Sequence, residues 1–367
     1  MVQTLEEIKS SGLSYVTDSQ PGIYRNGTPG KFYYTDKDGK RIDDEAQLSR
    51  IKSLVLPPAW QKVWIAPKKN AYLQATGIDA AGRKQYRYHP DWTSRRSDSK
   101  YFRLQEFGKV LPQARRRIAK DLRRKDFDEQ KVLAICMQVM LKTLIRVGND
   151  AYKELYGSYG LTTLRNKHVK IQGNQLQLTF KGKKGVQQNV QLNDKTLAKL
   201  IRQCKEIPGQ DLFQYYTEGN EHRPIDSGRI NNYIREITGS DFTAKDFRTW
   251  GGTLEALRQL AICCATDDQD KPKKKVIVEV LDCVAGKLGN TRAVCKSSYV
   301  YPLLLEAFEN DQLAKYLKKV NKDHSDSIKA VENDEKVLMQ FLRAAQKAVV
   351  KPATVIDKPK TKKAPNL

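Results

Sequence analysis

Between residues 21 and 90, apolar and aromatic positions come in short runs, IYR, KFYY, VWIA and QYRYH. Turn formers such as Asn26-Gly27, Pro29-Gly30 and Asp38-Gly39 punctuate them. Short runs bounded by such dipeptides suit an antiparallel sheet, because the turn residues tolerate the backbone angles a hairpin demands. The segment is predicted to be a small, mainly antiparallel sheet, with helices over 44–53 and 69–75. From about residue 97 the period changes. LQEFGKVLPQARRRIAKDLRR reads as helical with a dense basic face, and over 129–147 Val132, Ile135, Cys136, Val139, Met140 and Thr143 recur at helical spacing. The stretch from His168, HVKIQGNQLQLTFKGKKGVQQNVQL, then alternates Leu176, Leu178 and Phe180 with polar residues. Gly173-Asn174 and the run from Gly182 to Gly185 mark its turns, so a three-stranded meander is expected. Further helices are predicted over 194–205, 226–237, 244–264, 273–286 and 326–349.

This change of texture divides the chain. Residues 1–95 are expected to form a small, mainly antiparallel β domain, residues 96–320 a larger, mainly helical domain that includes the meander, and residues 321–367 a C-terminal helix and tail. The fold class is α+β. Pro90, Ser94, Ser97 and Ser99 punctuate a charged segment at the first boundary. The final residues, KPATVIDKPKTKKAPNL, are rich in Lys and Pro with too little apolar content to pack.

Charge narrows the partners. The 367 residues carry 66 Lys plus Arg against 42 Asp plus Glu, a net charge of +24, which favours a polyanion through counterion release. Nucleic acid leads, with a basic ribosomal or chromatin-type protein open as an alternative at this point. Six cysteines lack CxxC spacing and read as free thiols; four widely separated histidines do not suggest a metal site. No GxxxxGK[ST] loop is present. The expectation is therefore no metal and no nucleotide cofactor. The first twenty residues contain no signal-peptide run and no stretch approaches a membrane span, so the chain reads as intracellular.

Candidate chemistry centres on KSSYVYP, residues 296–302. A phenol with an ordinary pKa of about 10 is a poor nucleophile at neutral pH and needs cationic help. Arg146, Lys183, Lys245 and Arg248 all lie upstream. Lys183 falls at the tip of the TFKGKKG hairpin, while Lys245 and Arg248 are three apart and so share a helix face. A solvated lysine and structural salt bridges are the plain alternatives. In GRKQYRYHP, Arg83, Gln85, Tyr86 and Tyr88 combine donors suited to base edges with tyrosines suited to phosphates and sugars.

The order Arg146 in LIRVGN, Lys183 in FKGKKG, Lys245 and Arg248 in KDFRTWG, Asn290 in LGNT and Tyr299 in KSSYVYP resembles the type IB DNA topoisomerases, in particular their short poxvirus-like and bacterial branch. The resemblance spans about residues 20–310. It includes GRKQYRYHP and the preceding PPAWQKVWIAPKKNAYLQATGIDAAG, which look like that branch's N-terminal DNA-clamping domain. It implies that Tyr299 joins covalently to a DNA 3′ phosphate and that Arg146 and Arg248 hold the nonbridging oxygens. Lys183 would protonate the departing 5′ oxygen, with Lys245 a supporting phosphate contact. Many relatives have His where this chain has Asn290. An amide donates a hydrogen bond but carries neither proton nor charge, so the resemblance implies a neutral oxyanion donor there. The implied activity is relaxation of supercoiled duplex DNA by a monomer that clamps it, without ATP or metal. A tyrosine recombinase shares this chemistry and is the nearest competitor, and a non-catalytic basic DNA-binding protein is a competitor of another class.

Overall fold

Turn chemistry sets the first hairpin. Strands β1 (Ile23–Thr28) and β2 (Lys31–Thr35) pair in the register Thr28 to Lys31, leaving Pro29-Gly30 as the loop, with Gly30 at φ +88°. That angle is in the left-handed region where a β-carbon is unwelcome. The computed structural model describes residues 12–80, 82, 84–264, 271–321 and 327–350. It divides into two units, residues 1–101 and 102–367.

In the first unit, β3 (Gln61–Ile65), β4 (Leu73–Ile78) and β5 (Lys84–Tyr88) complete an antiparallel sheet of order β2-β1-β3-β4-β5. Helix α1 (Glu45–Ser53) starts at Asp44, whose carboxylate accepts from the amides of Ala46 and Gln47. Its Ile51 packs among Ile23, Val63, Ile65 and Ala75. The helix expected over 69–75 does not form. A turn at Lys68–Ala71 leads instead into β4, which pairs on both edges and is buried on both faces. Such a strand shows no alternation, so the LQATGI run mimics a short buried helix.

A long helix, α2 (Pro90–Asp121), runs through the region where the sequence suggests a punctuated linker. Pro90 sits at its first position, where a missing N–H costs nothing. The second unit then continues as α3 (Glu129–Thr143), α4 (Asp150–Tyr156) and a meander of β6 (Val169–Gln172), β7 (Gln175–Lys181) and β8 (Gln187–Asn193), with α5 (Lys195–Glu206) after it. A second, short hairpin of β9 (Gln214–Tyr216) and β10 (His222–Pro224) precedes α6 (Ser227–Thr238), α7 (Ala244–Cys263) and α8 (Lys273–Leu288). The chain ends with α9 (Arg292–Ser298), α10 (Pro302–Glu309), α11 (Ala314–Leu317) and α12 (Ile328–Val350). Apart from 69–75, the helices expected from periodicity form close to the expected bounds, and the meander has its three strands.

Helix α7 is the axis of this unit, and α12 braces it. Asp334, fully buried, accepts from Arg258 Nε at 2.7 Å. The neighbouring Glu335 accepts from Trp250 Nε1 at 2.9 Å and from both terminal nitrogens of Arg115 at 2.6 and 2.8 Å. Val337, Leu338, Phe341 and Leu342 supply a buried apolar stripe at helical spacing. The C-terminal helix therefore belongs to the second unit, whereas the sequence reading sets it apart with the tail. The tail itself, residues 351–367, lies outside the described residues.

Candidate active site

Close approach of α7 to neighbouring segments brings the site residues together. Mid-helix glycines cost roughly 1 kcal/mol relative to alanine, yet α7 carries two in succession, Gly251 and Gly252. A β-carbon at Gly251 would lie 2.4 Å from Leu144 Cδ2, and one at Gly252 would lie 3.1 Å from the Tyr299 carbonyl oxygen. The pair lets α7 press against the end of α3 on one side and against the tyrosine segment on the other. Leu144 caps α3 in the left-handed conformation (φ 54°), which turns the chain so that Arg146 follows two residues later. Arg248 lies one turn before the glycines.

Both guanidinium groups meet the C-terminal end of α8. The last carbonyls of a helix have no intrahelical donor and carry the negative end of its dipole, so cations are favoured there. Arg248 Nη2 donates to Leu288 O at 3.0 Å, and Arg146 Nη1 donates to Gly289 O at 3.1 Å. Gly289, at φ +59°, reverses the chain so that Asn290 Oδ1 accepts a second bond from Arg146 through Nη2. At this site three donors are buried without a hydrogen-bond partner among the described residues: Arg248 Nε, Arg248 Nη1 and Asn290 Nδ2. Buried donors are nearly always satisfied in folded proteins. Neither Arg146, Arg248 nor Lys245 pairs with a carboxylate among the described residues.

Tyr299 ends α9, half-buried, with the Arg248 guanidinium carbon 5.1 Å from its ring centroid. Burial alone would raise its pKa. The positive charges of Arg248, Arg146 and Lys245 outweigh that and hold the phenol below its ordinary value. Burial pushes the guanidinium pKa values of Arg248 and Arg146 down. Thr253 ties the tyrosine segment to α7: its hydroxyl shares its one proton between Thr249 O at 2.9 Å and Tyr299 O at 3.1 Å, and it accepts from Tyr301 N at 3.2 Å. Tyr301, two residues on, is 8% exposed and points into the core, edge-on to Phe341 at 6.3 Å. Cys295 also lies near the arginines, but burial pushes its thiol up to about 11, so it stays neutral at physiological pH.

Two comparisons bear on what this constellation is. A family model described as eukaryotic DNA topoisomerase I, catalytic core, matches residues 89–333. Another, bacterial DNA topoisomerase IB, N-terminal domain, matches residues 31–79. The DNA topoisomerase 1B of Acanthamoeba polyphaga mimivirus is 34% identical over 296 residues, covering 79% of this chain and 88% of that protein. The chain belongs to the type IB DNA topoisomerases. The DNA topoisomerase 1B of vaccinia virus (strain Western Reserve) is similar at 24% over 258 residues, 69% of this chain and 77% of its own, and the DNA topoisomerase 1 of rabbit fibroma virus at 24% over 240 residues. These matches place the topoisomerase in the viral and bacterial-like branch.

Of the residues singled out from sequence, Arg146, Arg248, Asn290 and Tyr299 converge, with Lys245 exposed at the start of α7 and close enough to act on the phenol. Lys183 is exposed in the turn between β7 and β8. In the first unit, Tyr86 and Tyr88 stack on one face of β5 with centroids 6.1 Å apart. The Gln85 carboxamide donates to Asp79 at 2.8 Å, so one of its donors is engaged. Arg83 lies outside the described residues. Sequence reasoning missed Gly251, Gly252 and Thr253 as site-forming positions. The signal was present in WGGT, since adjacent glycines inside a helical pattern call for a packing reason.

Proposed function

We propose that this topoisomerase cleaves one strand of duplex DNA by attack of the Tyr299 hydroxyl on a phosphodiester, forming a 3′-phosphotyrosine and releasing a 5′ hydroxyl. The observation that carries this reading is the set of unpaired buried donors on Arg248 and Asn290 beside a tyrosine whose ionisation the same cations favour. A bound phosphate would supply the missing acceptors. Charge gathers on the nonbridging oxygens as the phosphorus becomes pentacoordinate, and preorganised donors stabilise it there. Arg146 and Arg248 act as the clamp and Asn290 as a neutral donor, its oxygen already engaged by Arg146. Lys183 gives its proton to the departing 5′ oxygen, and Lys245 contacts a phosphate.

Supercoils relax by rotation of the free 5′ end, and the stored ester is resealed by the reverse attack. The bond energy is conserved in the ester, so ATP is not required, and the arginines take the place of a metal in charge stabilisation. The protein works as a monomer, with the tyrosines of β5 as a second DNA contact and both units engaging the duplex. Incubation of the pure protein with supercoiled plasmid, EDTA and no ATP should give relaxed circles. A requirement for magnesium or ATP would overturn the mechanism.

A further inference from the structure

Two glycines outside the helices report on one side chain. A β-carbon at Gly289 would lie 2.4 Å from Gln188 Oε1 and 2.5 Å from Nε2, and one at Gly182 would lie 3.0 Å from Gln188 Cγ. The Gln188 side chain thus lies across both glycines, from the start of the Lys183 turn to the C-terminal turn of α8. Gly182 N donates to Val186 O at 2.8 Å, closing the turn that holds Lys183. Gly289 gives its carbonyl to Arg146 and is followed directly by Asn290. No hydrogen bond reaches the Gln188 carboxamide among the described residues, so the side chain acts there by packing. The last paired residues of the hairpin are Lys181 and Gln187. Beyond them the tip carrying Lys183 is exposed, and Gln188 is where its base touches the turn that carries Asn290.

We propose that Gln188 is a positioning residue that seats the Lys183 hairpin against the Gly289-Asn290 turn, so that the proton donor and the oxyanion donors meet the same phosphate. The inference rests on the reading of Lys183 as general acid. A proton donor is sensitive to placement, since about 1 Å of misplacement can cost on the order of 100-fold in rate. Loss of Gln188 removes the contact at the base of the hairpin and leaves Arg146, Arg248 and Tyr299 where they are, because their own bonds do not involve it.

The test compares ordinary DNA with a substrate bearing sulfur at the 5′-bridging position of the scissile phosphate, whose thiolate departs without protonation. Single-turnover rate constants are read from the reacting fraction, so partial unfolding lowers the amplitude and not the rate. Gln188→Ala should cleave ordinary DNA about 10-fold or more slowly and cleave the thiolate substrate at close to the wild-type rate. Gln188→Met, which keeps the stem and its length, should recover most of the lost rate on ordinary DNA. An unchanged rate for Gln188→Ala on ordinary DNA, or equal slowing on both substrates, overturns the inference. Lys183→Ala distinguishes the two levels. If it is rescued by sulfur and Gln188→Ala is not, only the role of Gln188 falls; if Lys183→Ala is not rescued, the general-acid reading falls and takes the inference with it.

Discussion

The two tyrosines of KSSYVYP differ in what surrounds them. Tyr299 faces a guanidinium, whereas Tyr301 packs its ring edge-on to Phe341 in the core. Tyr299→Phe should abolish the covalent adduct on a suicide DNA substrate while leaving the melting temperature almost unchanged, and Tyr301→Phe should keep adduct formation. An adduct from Tyr299→Phe would reassign the nucleophile. The ionisation of Tyr299 gives a second check. Cations favour the phenolate, so in the ultraviolet titration difference between wild type and Tyr299→Phe the midpoint should fall below the ordinary tyrosine value of about 10. Removing the nearest cation with Arg248→Ala should move that midpoint upward. The depressed pKa also contributes stability that is present above the unfolded tyrosine pKa and is lost as pH falls through the folded value.

Among the elements, α7 carries Arg248 on one turn and the Gly251-Gly252 pair on the next. Gly252→Ala improves helix propensity by roughly 1 kcal/mol but sets a methyl 3.1 Å from the Tyr299 carbonyl and 3.3 Å from its Cβ. Stability should change little, whereas cleavage should slow by about 10-fold or more because the nucleophile is displaced by tenths of an ångström. Equal loss of both, read by thermal melts and single-turnover cleavage, would mean that the contact is structural only. The brace between α7 and α12 behaves in the opposite way. Asp334→Ala removes the carboxylate that Arg258, 5% exposed, donates to, and removing one partner of such a buried pair costs about 3–5 kcal/mol. Chemical denaturation should show that loss, and the folded fraction should cleave at a near-normal rate.

For the whole molecule, the net charge of +24 makes phosphate contacts the main source of affinity, and their number sets the salt dependence. Tyr86 and Tyr88 add stacked aromatic surface without charge. Replacing both with alanine should weaken or redistribute cleavage along a DNA fragment while leaving the slope of log affinity against log salt nearly unchanged. An unchanged cleavage map would leave β5 as an ordinary half-exposed edge strand.

Much of this was determined by the sequence alone. Local rules depend on neighbours in the chain, so the turns at Pro29-Gly30 and Asp38-Gly39, the period of two in the meander and the period of 3.6 in the helices could be read directly, whereas Asn26-Gly27, expected as a turn, lies within β1 and pairs with Tyr33 and Phe32. The basic charge and the ordered run Arg146, Lys183, Lys245, Arg248, Asn290 and Tyr299 were likewise visible, and the family followed from them. The strand at Leu73–Ile78 was misread because burial on both faces erases the alternation by which a strand is recognised. The unpaired donors of Arg248 and Asn290 were beyond reach, since whether a donor finds an acceptor depends on the carbonyls of α8, about forty positions from Arg248 in the chain. The different surroundings of Tyr299 and Tyr301, the hold of Thr253 on the tyrosine backbone and the contact of Gln188 with Gly289 are also properties of packing between distant segments. Close approach is set by what lies opposite in space, and only the tertiary structure decided that.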